Sequence, residues 1–204
     1  MRSILFALVL SFICAAALAD TQTILVFGDS LSAGLGMPRE KSWPALLEDR
    51  LVQRHYPYRV VNASISGETT SGGLARLPGA LAKFKPAIVI IELGANDGLR
   101  GLAVNEMRSN LDAMIRQSQA RRVKVLLIGI RLPPNYGGDY TRKFADSYAE
   151  LGRRYQTALL PFLFEGFAEN RDAFQADGLH PTAAMQPTML DSVWRVLLPL
   201  LSKR

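Results

Sequence analysis

The chain is short of the residues that bind metals and form disulfides. It holds one cysteine, Cys14, and two histidines, His55 and His180, among 204 residues. That supply does not furnish a zinc finger, an iron–sulfur cluster or a multi-histidine metal site, so no metal or other cofactor is expected. Three motifs are also missing. There is no Gly-x-x-x-x-Gly-Lys-Ser/Thr phosphate loop, no Gly-x-Gly-x-x-Gly fingerprint and no Gly-x-Ser-x-Gly elbow. What is present is ordinary for a globular protein: 49% hydrophobic, 21% charged, 16 Gly and 11 Pro. Disordered, collagenous and disulfide-rich chains are thereby excluded. The length fits one domain with a full core.

The formal net charge is +6, which raises the question of an anionic partner. The basic residues are scattered, however, and no aromatic–basic module accompanies them, so no nucleic-acid partner is expected. The N-terminus reads as an address. Arg2 is followed by a run over residues 4–16 that is apolar apart from Ser11, then by Ala17-Leu18-Ala19 and Asp20. This is the pattern of a cleaved secretory signal peptide, 1–19. The apolar run of about sixteen residues is shorter than the roughly 20 a spanning helix requires, so no membrane anchor is expected. Removing nineteen residues from 204 leaves 185 and no cysteine. The expectation is an exported protein, periplasmic or secreted, with a single domain over 20–204 that acts as a monomer.

Within 20–204, five segments read as buried strands: residues 23–27, 58–62, 87–92, 123–130 and, more weakly, 157–160. The runs Ile88-Val89-Ile90-Ile91 and Val125-Leu126-Leu127-Ile128 are apolar without alternation, as in a parallel sheet covered on both faces. Between the strands lie helical stripes: Trp43, Leu47 and Leu51; Leu74, Leu77, Leu81 and Phe84; Met107, Leu111 and Met114; Phe144, Tyr148, Leu151 and Tyr155; Leu190, Val193, Trp194 and Leu197. Strand–helix alternation predicts an α/β three-layer α/β/α sandwich with a five-stranded parallel sheet.

Ligands of such a sheet bind outside the carboxyl ends of its strands. The segments there are rich in chemistry. Gly28-Asp29-Ser30-Leu31-Ser32 follows the first strand, and Ser64-Ile65-Ser66-Gly67 the second. Gly94-Ala95-Asn96-Asp97 follows the third, and Asp177-Gly178-Leu179-His180-Pro181 precedes the last helix. Ser30 needs a base to become a nucleophile. His180 can supply it, with Asp177, three residues upstream, against its other ring nitrogen. The Ser30 N–H, the Gly67 N–H and the Asn96 amide can donate to a developing oxyanion. Each piece also has a plain structural reading. Asp29 or Ser30 can cap a helix, Asn96 can cap a turn, and Asp177-Gly178 can be a turn before a helix. His55 sits at a helix end before Tyr56-Pro57 and reads as structural.

Taken together, these blocks resemble the SGNH/GDSL hydrolases. The strings Val61-Asn62-Ala63-Ser64-Ile65-Ser66-Gly67, Asn96-Asp97-Gly98-Leu99-Arg100-Gly101-Leu102 and Arg131-Leu132-Pro133-Pro134-Asn135-Tyr136-Gly137 are more specific. They resemble the bacterial periplasmic thioesterase, protease and lysophospholipase group and its arylesterase relatives. The resemblance implies a flavodoxin-like fold and metal-free hydrolysis of esters and thioesters. It assigns the nucleophile to Ser30, the base to His180, the orienting acid to Asp177 and the oxyanion donors to Ser30, Gly67 and Asn96. Ala95 stands where the family often has a second glycine. Asp29 and Asp97 fall outside the catalytic set, and Glu92 has no assigned role. Leu99, Leu102, Leu132, Pro133 and Tyr136 are candidates for an acyl pocket, or alternatively cover the core. A small-molecule acyl ester or thioester is the expected partner. Two other readings remain: a carbohydrate acetyl esterase of the same fold, and an exported binding protein without activity.

Overall fold

The computed structural model describes residues 21–202. The signal-peptide reading of 1–19 lies outside them. Five parallel strands form one sheet: β1 (Gln22–Gly28), β2 (Tyr58–Asn62), β3 (Ile88–Glu92), β4 (Lys124–Ile128) and β5 (Ala158–Leu160). Their order is β2-β1-β3-β4-β5, the doubly wound flavodoxin-like order. The chain reverses direction across the sheet between β1 and β3. A crevice opens at their carboxyl ends for that reason, because the connections leave toward opposite faces.

The apolar runs explain the sheet. Every residue of β3 is buried, and residues 24–27 of β1 are fully so. Seven helices cover it: α1 (Ser30–Ala33), α2 (Trp43–Gln53), α3 (Thr70–Phe84), α4 (Ala95–Leu99), α5 (Val104–Ala120), α6 (Gly138–Tyr155) and α7 (Gln186–Leu197). Helices α2 and α7 pack together on one side of the sheet. On the other, α5 packs between α3 and α6. Each stripe turns its central members inward. Trp43, Leu47, Leu51, Leu77, Leu111, Met114, Phe144 and Val193 are all completely buried. Among the described residues no helix is long and apolar enough to cross a membrane.

The strand expectations meet the structure within one residue, except at the end of β4, where they differ by two. The apolar pattern ran to residue 130, but the strand stops at Ile128. The Gly129 N–H donates to Leu160 O at 2.8 Å, and the Gly129 carbonyl accepts from the Leu163 N–H at 3.1 Å. The chain has therefore left the β3–β4 ladder, and Ile130 is buried as a loop residue. Ile90, in the middle of β3 and without exposure, carries both flanking ladders. Ile90→Ala is expected to destabilise the fold by about 2–5 kcal/mol. Chemical denaturation reads this directly, and a loss under about 1 kcal/mol would contradict the packing described.

Candidate active site

The loops after the five strands and the segment before α7 line one groove at the β1/β3 crevice. Ser30 opens α1 and is 7% exposed. The cap is Asp29, whose Oδ1 accepts from the Leu31 N–H at 3.0 Å. The Ser30 hydroxyl is thereby left for another partner, His180 Nε2, at 2.8 Å. His180 Nδ1 lies 2.7 Å from Asp177 Oδ2. The other Asp177 oxygen accepts from the Leu179 N–H at 2.9 Å and the His180 N–H at 3.0 Å. Those two N–H groups, followed by the His180 ring, hold the Asp177 carboxyl down at about 2. An ionised Asp177 is acceptor-only, so Nδ1 carries the ring hydrogen. Nε2 is then the acceptor that faces the Ser30 hydroxyl. His55 is far from this arrangement, on the turn that leads into the opposite end of β2.

Gly67 stands on a turn held from several sides. Arg76 of α3 donates to Glu68 Oε2 at 2.5 Å and to Ala63 O at 2.8 Å, and Arg100 donates to Gly67 O at 3.0 Å. The backbone of Gly67 has φ +80°, a left-handed conformation that a side chain disfavours. The N–H groups of Ser30 and Gly67 have no acceptor among the described residues, and both residues line the same groove. Asn96 sits in α4, the helix after β3. Its Nδ2 donates to Asp29 Oδ2 at 3.0 Å and to Glu68 O at 2.9 Å. Both amide hydrogens are occupied, so a further acceptor reaches this donor only by sharing or replacing one of those two bonds. Ala95 opens α4 with helical backbone, where a Cβ is accommodated.

Three acids lie beneath the site. Asp97 closes the start of α3, accepting from the Thr70 N–H at 2.9 Å and the Thr70 hydroxyl at 2.5 Å. Glu92 ends β3 with no exposure. One of its oxygens accepts from the Ser32 hydroxyl at 2.7 Å; the other has no partner among the described residues. Gly28 lies so close that a Cβ there would meet Glu92 Oε2 at 2.7 Å. Burial, and then the charge of Asp29, push the Glu92 carboxyl well above the usual range and favour its neutral form. Burial also raises Asp29, to about 6, against the Leu31 N–H, the His180 charge and the Asn96 amide. The role of Glu92 missing from the sequence reading is structural: it supports the turn from β1 into α1.

The groove has a volume of about 660 Å³. Leu99, Leu132 and Pro133 line it as expected. Leu102 and Tyr136 do not. Leu102 faces a separate shallow groove, and the Tyr136 hydroxyl turns to Leu99 O at 3.1 Å. Missing from the sequence reading were Leu31, Leu35, Phe162, Phe164 and Phe174. The one signal for the last three was the aromatic density after β5.

The raised Asp29 carboxyl favours the protonated form in the fold, so its ionisation opposes folding as pH rises from 3.8 to about 6. Asp29→Asn lacks that term. Its stability relative to the parent is expected to improve between pH 4 and 7, by about 3 kcal/mol at most. Denaturation of both proteins across that range tests this; a difference independent of pH would contradict it.

Residues 26–186 match the model of the GDSL-like Lipase/Acylhydrolase family. Esterase TesA of Pseudomonas aeruginosa is 50% identical over 201 residues, covering 98% of this chain and all of that protein. Thioesterase 1/protease 1/lysophospholipase L1 of Escherichia coli strain K12 is 41% identical over 198 residues, 97% of this chain and 92% of the other. A crystal structure of TesA superposes with a TM-score of 0.86 at 53% identity, covering 88% of this chain and 100% of that one. With strand ends, loops and sheet order all in place, the chain belongs to the GDSL-like lipase/acylhydrolase family and is an ester and thioester hydrolase.

Proposed function

We propose that hydrolysis runs through an acyl-enzyme on Ser30. The observation that carries this is the continuous path from the Ser30 hydroxyl through 2.8 Å to His180 and 2.7 Å to Asp177. His180 Nε2 takes the Ser30 proton as the oxygen attacks the acyl carbonyl. Asp177 holds the ring's tautomer and balances the imidazolium that forms. The N–H groups of Ser30 and Gly67 receive the oxyanion, and the Asn96 amide joins them by loosening its bond to Glu68. His180 then protonates an alcohol leaving group, while a thiolate leaves with less help. Water repeats the cycle on the ester of Ser30 and releases the acid.

The apolar lining supports a substrate with an acyl tail of several carbons, in an aryl ester, thioester or lysophospholipid. Each CH₂ buried there contributes roughly 0.8 kcal/mol. The same lining argues against a carbohydrate acetyl esterase, because the leucine and phenylalanine walls offer few polar partners to a sugar. A binding protein without activity has no use for the aligned serine, histidine and aspartate. The proposed setting is outside the cytoplasm, with 1–19 removed and 20–204 acting as a monomer; the N-terminal pattern supports export.

Ser30→Ala is expected to abolish turnover of p-nitrophenyl butyrate and octanoate. Equal activity in parent and variant would remove Ser30 from its role. Asn96→Ala is expected to lower kcat by about 10²–10³-fold with little change in KM. An effect confined to KM would make Asn96 a ground-state contact instead. Because His180 accepts a proton only when neutral, kcat/KM falls on the acid side. Asp177, held at about 2, stays ionised through that range and is not the source of the fall. A profile flat from pH 5 to 8 would overturn the base assignment.

A further inference from the structure

We propose that Arg131 and Arg171 form an anion-binding edge of the catalytic groove that selects leaving groups carrying phosphate. The proposal rests on the hydrolase reading above and adds a specificity determinant to it.

Both arginines line the groove that holds Ser30 and His180. Elsewhere, Arg50, Arg76, Arg108, Arg116, Arg142, Arg154 and Arg195 each sit within 4.0 Å of a carboxylate, and the remaining described arginines, unpaired in that sense, lie outside this groove. Among the described residues Arg131 and Arg171 have no such partner, and no protein acceptor takes their side-chain N–H groups. Both are exposed, and each has one packing contact. The Arg131 guanidinium lies over the Phe162 ring, 5.0 Å from its centre, a cation–π contact that leaves the N–H edge open. The Arg171 guanidinium rests against Gly178, with Nη1 2.5 Å from where a Cβ would stand. The missing side chain at 178 gives the guanidinium its place beside the His180 turn.

That place matters chemically. The leaving group receives its proton from His180 Nε2, so it departs on the His180 side of Ser30. Gly178 is two residues from His180, and the body of a large leaving group passes over this turn. Arg131 and Phe162 follow β4 and β5, on the same flank of β1 in the sheet order. Glu169 also lines the groove. Asp177, on the His180 turn, is engaged by His180 and two backbone N–H groups, which leaves Glu169 as the carboxylate that competes for the two guanidiniums. A planar guanidinium fork matches phosphate oxygens in pairs. Phosphate joined to an acyl group occurs in two sources, the nucleotide part of coenzyme A and the headgroup of a lysophospholipid.

The test compares leaving groups at constant acyl chain. Octanoyl-coenzyme A is set against octanoyl-N-acetylcysteamine, a neutral thioester. Octanoyl-lysophosphatidylglycerol is set against monooctanoylglycerol. Each pair gives a ratio of kcat/KM, anionic over neutral. In R131Q/R171Q at least one of the two ratios is expected to fall by about tenfold or more, through KM. Glu169→Gln is expected to raise that same ratio. Raising the ionic strength from about 20 to 200 mM should reduce the parent's ratio toward that of the double variant. A fall confined to the coenzyme A pair identifies the nucleotide phosphates as the group read; a fall confined to the lipid pair identifies the headgroup. Ratios unchanged in the double variant overturn the proposal. The hydrolase reading fails separately, if the parent turns over neither neutral substrate.

Discussion

The contact between Ser30 Oγ and His180 Nε2 joins residues 150 positions apart, and much of the surrounding structure keeps that distance short. The segment bearing His180 has little regular structure, so it borrows rigidity from the region around α1. Gln175 is the tie. Its N–H donates to His180 O at 2.8 Å, and its side-chain amide donates to Leu35 O at 2.9 Å and Pro181 O at 3.2 Å. A Cβ at Gly36 would collide with Gln175 Oε1, so the two turns touch directly. Phe174 pairs with Pro181 in an isolated bridge and packs on Phe164 and Phe167. The histidine is thus fastened to the same short stretch that begins with the serine. A change in either turn is transmitted to the other through one glutamine.

Beneath that contact the fold accepts an unfavourable arrangement. Asp29 and Glu92 are both without exposure; burial raises the charging cost of each, and the charge of Asp29 adds to that of Glu92. A pair of apolar residues would pack here with less penalty. The acids remain compatible with folding because their polar atoms serve defined ends. Asp29 caps α1 with one oxygen and orients the Asn96 amide with the other. Glu92 receives the Ser32 hydroxyl, and Ser32 O in turn accepts from Asn62 Nδ2 at 2.7 Å. The carboxyl ends of β1, β2 and β3 are tied together through these side chains at the last rungs of the backbone ladders.

Much of this was legible in the sequence, for a physical reason. In a parallel sheet the strand ends are marked by the change from apolar to polar residues, and the chemistry follows that change. Ser30, Asn96 and Gly67 could be found that way because each stands a few residues beyond a strong apolar run. The groove walls could not. Phe162, Phe164 and Phe174 lie after β5, a strand of three residues, in a stretch whose spacing follows no period. Tyr136 shares a motif with groove residues, yet its hydroxyl finds a backbone carbonyl and points elsewhere. Whether an aromatic side chain faces a groove or a neighbour is decided by tertiary contacts that no local pattern records. The Asn96–Glu68 bond is of the same kind: the carbonyl comes from a turn 28 residues away.

The separation between catalytic set and groove wall has a mechanical consequence. The polar contacts of Ser30, His180, Asp177 and Asn96 run to one another and to neighbouring turns; none runs to a side chain of the apolar wall. The wall comes mainly from the loops after β4 and β5, and its outer members Leu35 and Leu179 are 44% and 43% exposed. Substitutions in the loops after β4 and β5 can therefore alter which acyl chain or leaving group fits without moving the proposed reacting atoms, whereas Leu35 and Leu179 belong to the turns tied to His180 and Asp177. Substitutions at Gly28, Glu92 or Gln175 act in the opposite sense. They shift the geometry at Ser30, because these residues carry the load between strand end and histidine turn; Gln175 also holds the wall residue Leu35. On the proposed mechanism, substrate fit rests mainly on the loops after β4 and β5, and the chemical step on Ser30, His180, Asp177 and Asn96.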